Sequence, residues 1–179
     1  MSNGARKSRL ESLHTAALGV WLGALLTVGG IAAVAFPTMK SLAPVLPGFR
    51  VPVEDHWSIA AGHIMNPSFF AVMIAGIVLG ATALLAWKGI GTLRRIVTLL
   101  ALLLAVGTLV GLGLPMRANL DLYWSAARAG ETEAAAQSKA KFDALHPWSS
   151  RAMGTQAGLV ALALVMAIAS RRAVGKAAP

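Results

Sequence analysis

Four long apolar runs, separated by stretches in which the polar and charged residues collect, set the pattern of this chain. They cover roughly residues 13–36, 69–87, 96–114 and 152–170. At 1.5 Å per residue, about 20 helical residues cross the hydrocarbon layer of a bilayer, so each run is long enough to span it. In lipid the backbone must satisfy its own hydrogen bonds, and a helix does so within one segment. The pattern therefore predicts an all-α polytopic membrane protein. It is a four-transmembrane-helix bundle, with residues 1–179 forming a single integral membrane domain.

The two longer connections, 37–68 and 115–151, are expected to carry extra helical segments. Pro37, Pro44, Pro47, Gly48 and Pro52 predict irregular chain up to about Val53. The stretch "EDHWSIAAGHIM" then suits a helix. Asn66-Pro67 reads as an N-cap and first-turn proline that restarts or kinks the chain into the second span. The alanine-rich connection 115–151 predicts two helices, bent near Gly130 and ended by Pro147, with Ser149 or Ser150 capping the fourth span.

Composition sharpens this reading. Of the 179 residues 56% are hydrophobic and 13% charged, and the mean hydropathy is +0.67. Soluble domains carry about a quarter charged residues. Arg6, Lys7 and Arg9 precede the first run, and Ala33-Val34-Ala35 resembles a cleavage site, but that run is too long for a signal-peptide core and reads as a span.

The net charge of +9 would suit nucleic acid in a soluble chain, but no nucleic-acid-binding motif is present. The basic residues instead flank the apolar runs. Arg6, Lys7, Arg9, Lys88, Arg94, Arg95, Arg171, Arg172 and Lys176 fall in the two tails and the short connection, opposed only by Glu11. The longer connections hold seven basic residues offset by six acids. The positive-inside rule then places both termini in the cytoplasm, here of a bacterial inner membrane, with the two long connections facing outward. Trp57, Trp124 and Trp148 are expected near the outer interface and Trp87 near the inner one, as an aromatic belt.

Every span carries a GxxxG pair: Gly19/Gly23, Gly76/Gly80, Gly107/Gly111 and Gly154/Gly158. Glycines four apart share a helix face and let backbones approach closely. They predict tight packing inside the bundle, or a spare face for a partner helix from another chain or a second copy.

The chemistry is sparse. There is no cysteine, which removes disulfides and thiolate sites. There is no Walker loop, HExxH, GxSxG or EF-hand loop. No Asp, Glu, Lys or Arg lies inside a span, which argues against an ion-coupled transporter. Thr27, Thr82, Thr108, Thr155 and Gln156 are the deepest polar groups, expected to hydrogen-bond between helices. Ser149, Ser150 and His146 are close in sequence, but no oxyanion-forming motif accompanies them. The chain reads as no enzyme.

Histidines are the main candidates for chemistry. His56 and His63 share a helix face, about 10 Å apart along the axis. His63 precedes span two and His146 precedes span four, at similar depth, with Asp143 three residues before His146. Together His63, His146, Asp143 and His56 make a candidate site for a transition metal or small cationic solute. The alternative is that these histidines hydrogen-bond loop backbone. His14, with Glu11 one turn before it, reads as a helix–helix hydrogen bond. A tetrapyrrole would need paired histidines on facing helices, and only His63 and His146 meet the depth condition, near the surface.

The motifs "LHTAALGVWLGALL" ending in "AFP", "AGHIMNPSFF", "LPMRANLDLYW" and "FDALHPWSSRAMGTQAGL" resemble the transmembrane-protein-205-like family, also called domain of unknown function 4149. The resemblance covers about residues 13–169 and implies a four-span membrane protein. It maps the family's characteristic positions to His14, Trp21, Gly23, Pro37, Ala61, Gly62, Phe69 and His146 with a following serine. Where many members carry a basic residue after the Ala-Gly pair, this chain has His63. The first span is also similar to copper-resistance membrane proteins of the D type. Two functions are therefore expected: handling of a metal or small cation at the outer face, or an accessory subunit packed through its glycine faces into a larger membrane complex.

Overall fold

The computed structural model describes residues 3–176, with side chains described from 6 to 170. It is 91% helical and has no strand among the described residues. Five α-helices follow in order: α1 (Asn3–Leu42), α2 (His56–Leu85), α3 (Thr92–Thr108), α4 (Leu114–Ala129) and α5 (Thr132–Lys176). A π-helical turn, Leu109–Gly113, joins α3 to α4 without a break. Four stretches are long and apolar enough to cross a membrane: Arg6–Leu42, Val53–Leu85, Thr92–Ala129 and Thr132–Ser170.

These helices outrun the spans expected from hydropathy. Helix α1 continues through Pro37 to Leu42, α2 runs through Asn66-Pro67, and α5 runs through Pro147. The expected breaks at Pro37 and Pro147 do not occur, and Asn66-Pro67 does not restart a helix. A proline inside a helix removes one backbone hydrogen bond, whereas opening a loop there would expose several. Ser149 and Ser150 accordingly lie within α5 and neither caps a helix; the Ser150 side chain is turned back along it. Its hydroxyl donates to the His146 carbonyl one turn back. The irregular segment shrinks to residues 43–52, where Ala43 (φ 42°) and Gly48 (φ 87°) turn the chain.

The bend near Gly130 is as expected. Gly130 ends α4 in the left-handed conformation, φ 82°, and its N–H bonds to the Ala126 carbonyl. A Cβ there would also lie 3.1 Å from Arg50 Cδ. Gly130→Ala should therefore cost about 1–2 kcal/mol, read as a lower thermal unfolding midpoint in detergent.

The chain divides into two compact units. The first comprises the described residues up to Leu26, Met73–Val106, and those from Ala152 onward. Its interior is built from small residues in helical register: Ala83 and Ala86 on α2 and just after it, Ala101 and Ala105 on α3, and Val160, Ala163 and Ala167 on α5. Val20, Leu26, Val78, Leu85, Leu100, Leu103, Leu162 and Val165 are exposed. Leu18, Trp21 and Leu25 are buried with them, but a core rich in alanine under an exposed layer of large apolar residues inverts the arrangement of a soluble protein. That inversion is what lipid demands, because only close backbone approach gains packing when the solvent is itself apolar. The chain is an integral membrane protein.

The second unit comprises Thr27–Val72 and Gly107–Arg151. It has its own core of Ile59, Leu120, Tyr123, Ala126, Ala127 and Ala135, with Leu46, Phe49, Val51, Trp124 and Phe142 packed against it. Segment 43–52 is tied to this core by a hydrogen bond from Arg50 N to the Ala127 carbonyl, 2.8 Å.

Candidate functional site

Two polar centres stand out, one in each unit. In the first unit, Arg94 near the start of α3 donates from Nη2 to Glu11 Oε1 of α1 at 3.1 Å. The Arg94 side chain is only 5% exposed. Thr98 Oγ1 donates to the Arg94 carbonyl one turn back. His14, fully buried, has Nδ1 3.0 Å from the Ala83 carbonyl of α2. A ring nitrogen facing a carbonyl carries the proton, so Nδ1–H donates there. The expected role of His14 as a helix–helix hydrogen bond matches this geometry.

Two turns along α1, Trp21 is also fully buried. Its indole lies over Gly76 and Gly80. A Cβ at Gly76 would fall 2.6 Å from Trp21 Nε1, and one at Gly80 would fall 2.8 Å from Trp21 Cζ3. The Gln156 side-chain amide of α5 approaches the same Gly76 position at 3.2 Å. This glycine pair is a groove for a tryptophan rather than a seat for another helix backbone.

The second centre surrounds His63. Its ring stacks on Trp124, with centroids 3.8 Å apart, and meets Phe49 edge-on at 6.1 Å. His63 Nδ1 lies 2.9 Å from the Ile59 carbonyl, and Nε2 lies 3.3 Å from Arg128 Nη2. Nδ1–H therefore donates to Ile59, and Nε2 accepts from Arg128. Gly62 makes the stack possible, because a Cβ there would sit 3.1 Å from Trp124. His56, buried, accepts from Leu46 N at Nδ1 (3.0 Å) and faces the Val51 carbonyl with Nε2 (3.2 Å). It pins segment 43–52.

The expected ligand set of His63, His146, Asp143 and His56 is not assembled. Both nitrogens of His56 and of His63 are engaged by backbone or by Arg128. Asp143 bonds Lys139 Nζ at 2.7 Å on its own helix. His146 is exposed beside Phe142, with ring centroids 5.6 Å apart. Among the described residues no three His, Cys, Asp or Glu side chains gather as a metal site requires. Asp143 is taken up by Lys139 one turn earlier, and His146 by its contact with Phe142, on the same helix.

Compared with known proteins, the chain matches no protein-family model, no curated protein and no solved structure.

The positions singled out by the sequence resemblance have packing or hydrogen-bonding roles where their surroundings are defined. His14 ties α1 to α2, Trp21 fills the Gly76/Gly80 groove, Ala61 is fully buried, and Gly62 admits Trp124. Pro37 and Gly23 are exposed, and Phe69 is half-buried. The Glu11–Arg94 pair and the partners of Trp21 are not readable from local spacing. Arg94 counts in the sequence as one more cation of a short connection, and its partner is 83 residues away.

Proposed function

We propose that this protein is a non-catalytic assembly subunit of the membrane, whose helices pack against other membrane-spanning chains. The observation that carries this reading is the fate of the four glycine pairs. Only Gly76/Gly80 is filled within the chain, by Trp21. Gly107, Gly111, Gly154 and Gly158 are exposed and Gly23 with them, and a Cβ on any of these or on Gly19 would meet nothing within 4 Å. In lipid, an open glycine pair lets a second backbone approach closely, which is where helix association gains most. The basic tails and short connection support cytoplasmic termini within this reading. The resemblance to the transmembrane-protein-205-like family enters as part of the same proposal, because its pattern positions His14, Trp21, Ala61 and Gly62 are fixed points of the packing. The metal- or cation-handling reading lacks an assembled ligand set to support it.

The test is the mass of the complex extracted in mild detergent from the protein's own membranes. Wild type is expected to carry a stoichiometric partner chain. Gly107→Ile with Gly111→Ile is expected to release it while the thermal midpoint of the chain stays within about 2 °C, because a side chain at either position starts into open space. A wild-type chain that runs alone under these conditions rejects the reading.

A further inference from the structure

At the end of the helices carried by the second unit, two arginines sit over aromatic rings at the level where the apolar runs stop. Arg117 Cζ lies 4.7 Å from the centroid of Phe70, and Arg151 Cζ lies 5.1 Å from that of Trp148. Phe70 is the second residue of the run 69–87. Arg117 is three residues beyond the run 96–114, and Arg151 immediately precedes the run 152–170. At 1.5 Å per residue these arginines begin about 5 Å or less outside the hydrocarbon. The headgroup layer on each side is itself about 5–8 Å thick. On that count both side chains reach phosphate depth, with the Phe70 ring on the apolar side of Arg117 and Trp148 one helical turn further out than Arg151.

Their charges are largely uncompensated. The ion pairs among the described residues are Glu11–Arg94, Arg117–Asp121 and Lys139–Asp143. Arg151 is in none of them. Arg117 meets Asp121 only through Nε at 4.0 Å, with both side chains at least half exposed, which leaves its two terminal amino groups available. A guanidinium whose face rests on a ring keeps its N–H donors at the rim, and these match the paired oxygens of a phosphodiester. The ring contact also holds the side chain in place before the anion arrives, so less conformational freedom is lost on binding.

We propose that Arg117 on Phe70 and Arg151 on Trp148 are headgroup-binding points that select anionic phospholipids. The occupant is a membrane lipid because the two cations lie at the boundary of the apolar runs. Cations further out along the same helices do not share this position. Lys141, for example, lies about 15 Å further along α5 from the run than Arg151 does.

The experiment uses the full chain reconstituted in vesicles of phosphatidylcholine with increasing phosphatidylglycerol, one lipid at a time carrying brominated chains. Quenching of the protein's tryptophan fluorescence then reports which lipid contacts it. Wild type is expected to prefer phosphatidylglycerol. Arg117→Gln and Arg151→Gln should each lower that preference about fivefold, the effect of about 1 kcal/mol per cation at a charged membrane surface. The Lys141→Gln control should leave it unchanged, and Arg117→Lys with Arg151→Lys should retain most of it. The proposal is overturned if the double glutamine variant keeps the wild-type preference. It is also overturned if Lys141→Gln lowers the preference as much, which would make it an effect of net charge. Displacement by millimolar inorganic phosphate would reassign the arginines to a soluble anion.

Discussion

Gly80→Val is expected to be the most damaging single substitution in the first unit. The first atom added at Gly80 would lie 2.8 Å and 2.9 Å from two carbons of the Trp21 indole and 3.1 Å from Leu102 Cδ1. Trp21 is fully buried, so it yields only by displacing its neighbours. Overpacking of a filled core costs about 1–3 kcal/mol and more where neither neighbour can move, so a loss of about 3 kcal/mol is expected. It is measured as unfolding in a mixed detergent titration. Gly107→Val provides the contrast, since its added atoms meet open space, and its midpoint should stay near wild type. Trp21→Leu in the Gly80→Val background should recover part of the loss by clearing the groove. If Gly80→Val unfolds no more readily than Gly107→Val, the indole does not occupy the groove.

Removing Glu11 is expected to have an effect of similar size by a different route. Glu11→Gln leaves the Arg94 guanidinium buried without its counter-charge, and Arg94 Nη1 already has no protein partner. Breaking a buried pair from one side costs about 3–5 kcal/mol, because the remaining charge stays desolvated. Glu11 is 22% exposed, so the lower end of that range applies. The double replacement Glu11→Leu with Arg94→Met should recover most of the loss or exceed wild type, since no charge then remains to be desolvated. A double-mutant cycle on the thermal midpoint measures this. Additive single effects would mean that the two side chains do not interact.

Much of the architecture was legible because lipid makes a strong demand on sequence. Four apolar runs, the small residues between them and the bend at Gly130 all follow from local composition. The ends of the helices were not legible. Pro37, Pro67 and Pro147 carry strong stop signals, yet each lies inside a continuous helix, where it removes a single backbone hydrogen bond. The site was readable in its residues and not in its partners. His14 was assigned a hydrogen bond between helices, and the structure supplies the Ala83 carbonyl. His63 is one of four candidate ligands in the sequence, yet its surroundings are set by Trp124, Phe49 and Arg128, which come from distant segments. Gly76 and Gly80 illustrate the same limit. Spacing predicts a close approach along the helix, but not that an indole rather than a backbone fills it.

The prolines inside the helices have one more consequence. A proline at position i has no N–H to offer the carbonyl at i−4. Pro37, Pro67 and Pro147 thus each withhold the helical donor from one oxygen, on Ala33, His63 and Asp143 in turn. All three oxygens belong to the second unit. A carbonyl without a donor is stable only where water or another polar group can reach it. Each of these oxygens is therefore expected to take its hydrogen bond from water or from a polar side chain. A carbonyl-stretch infrared spectrum with labelled carbon at Ala33 should show the shift of a water-bonded amide, although Ala33 lies within the run 13–36.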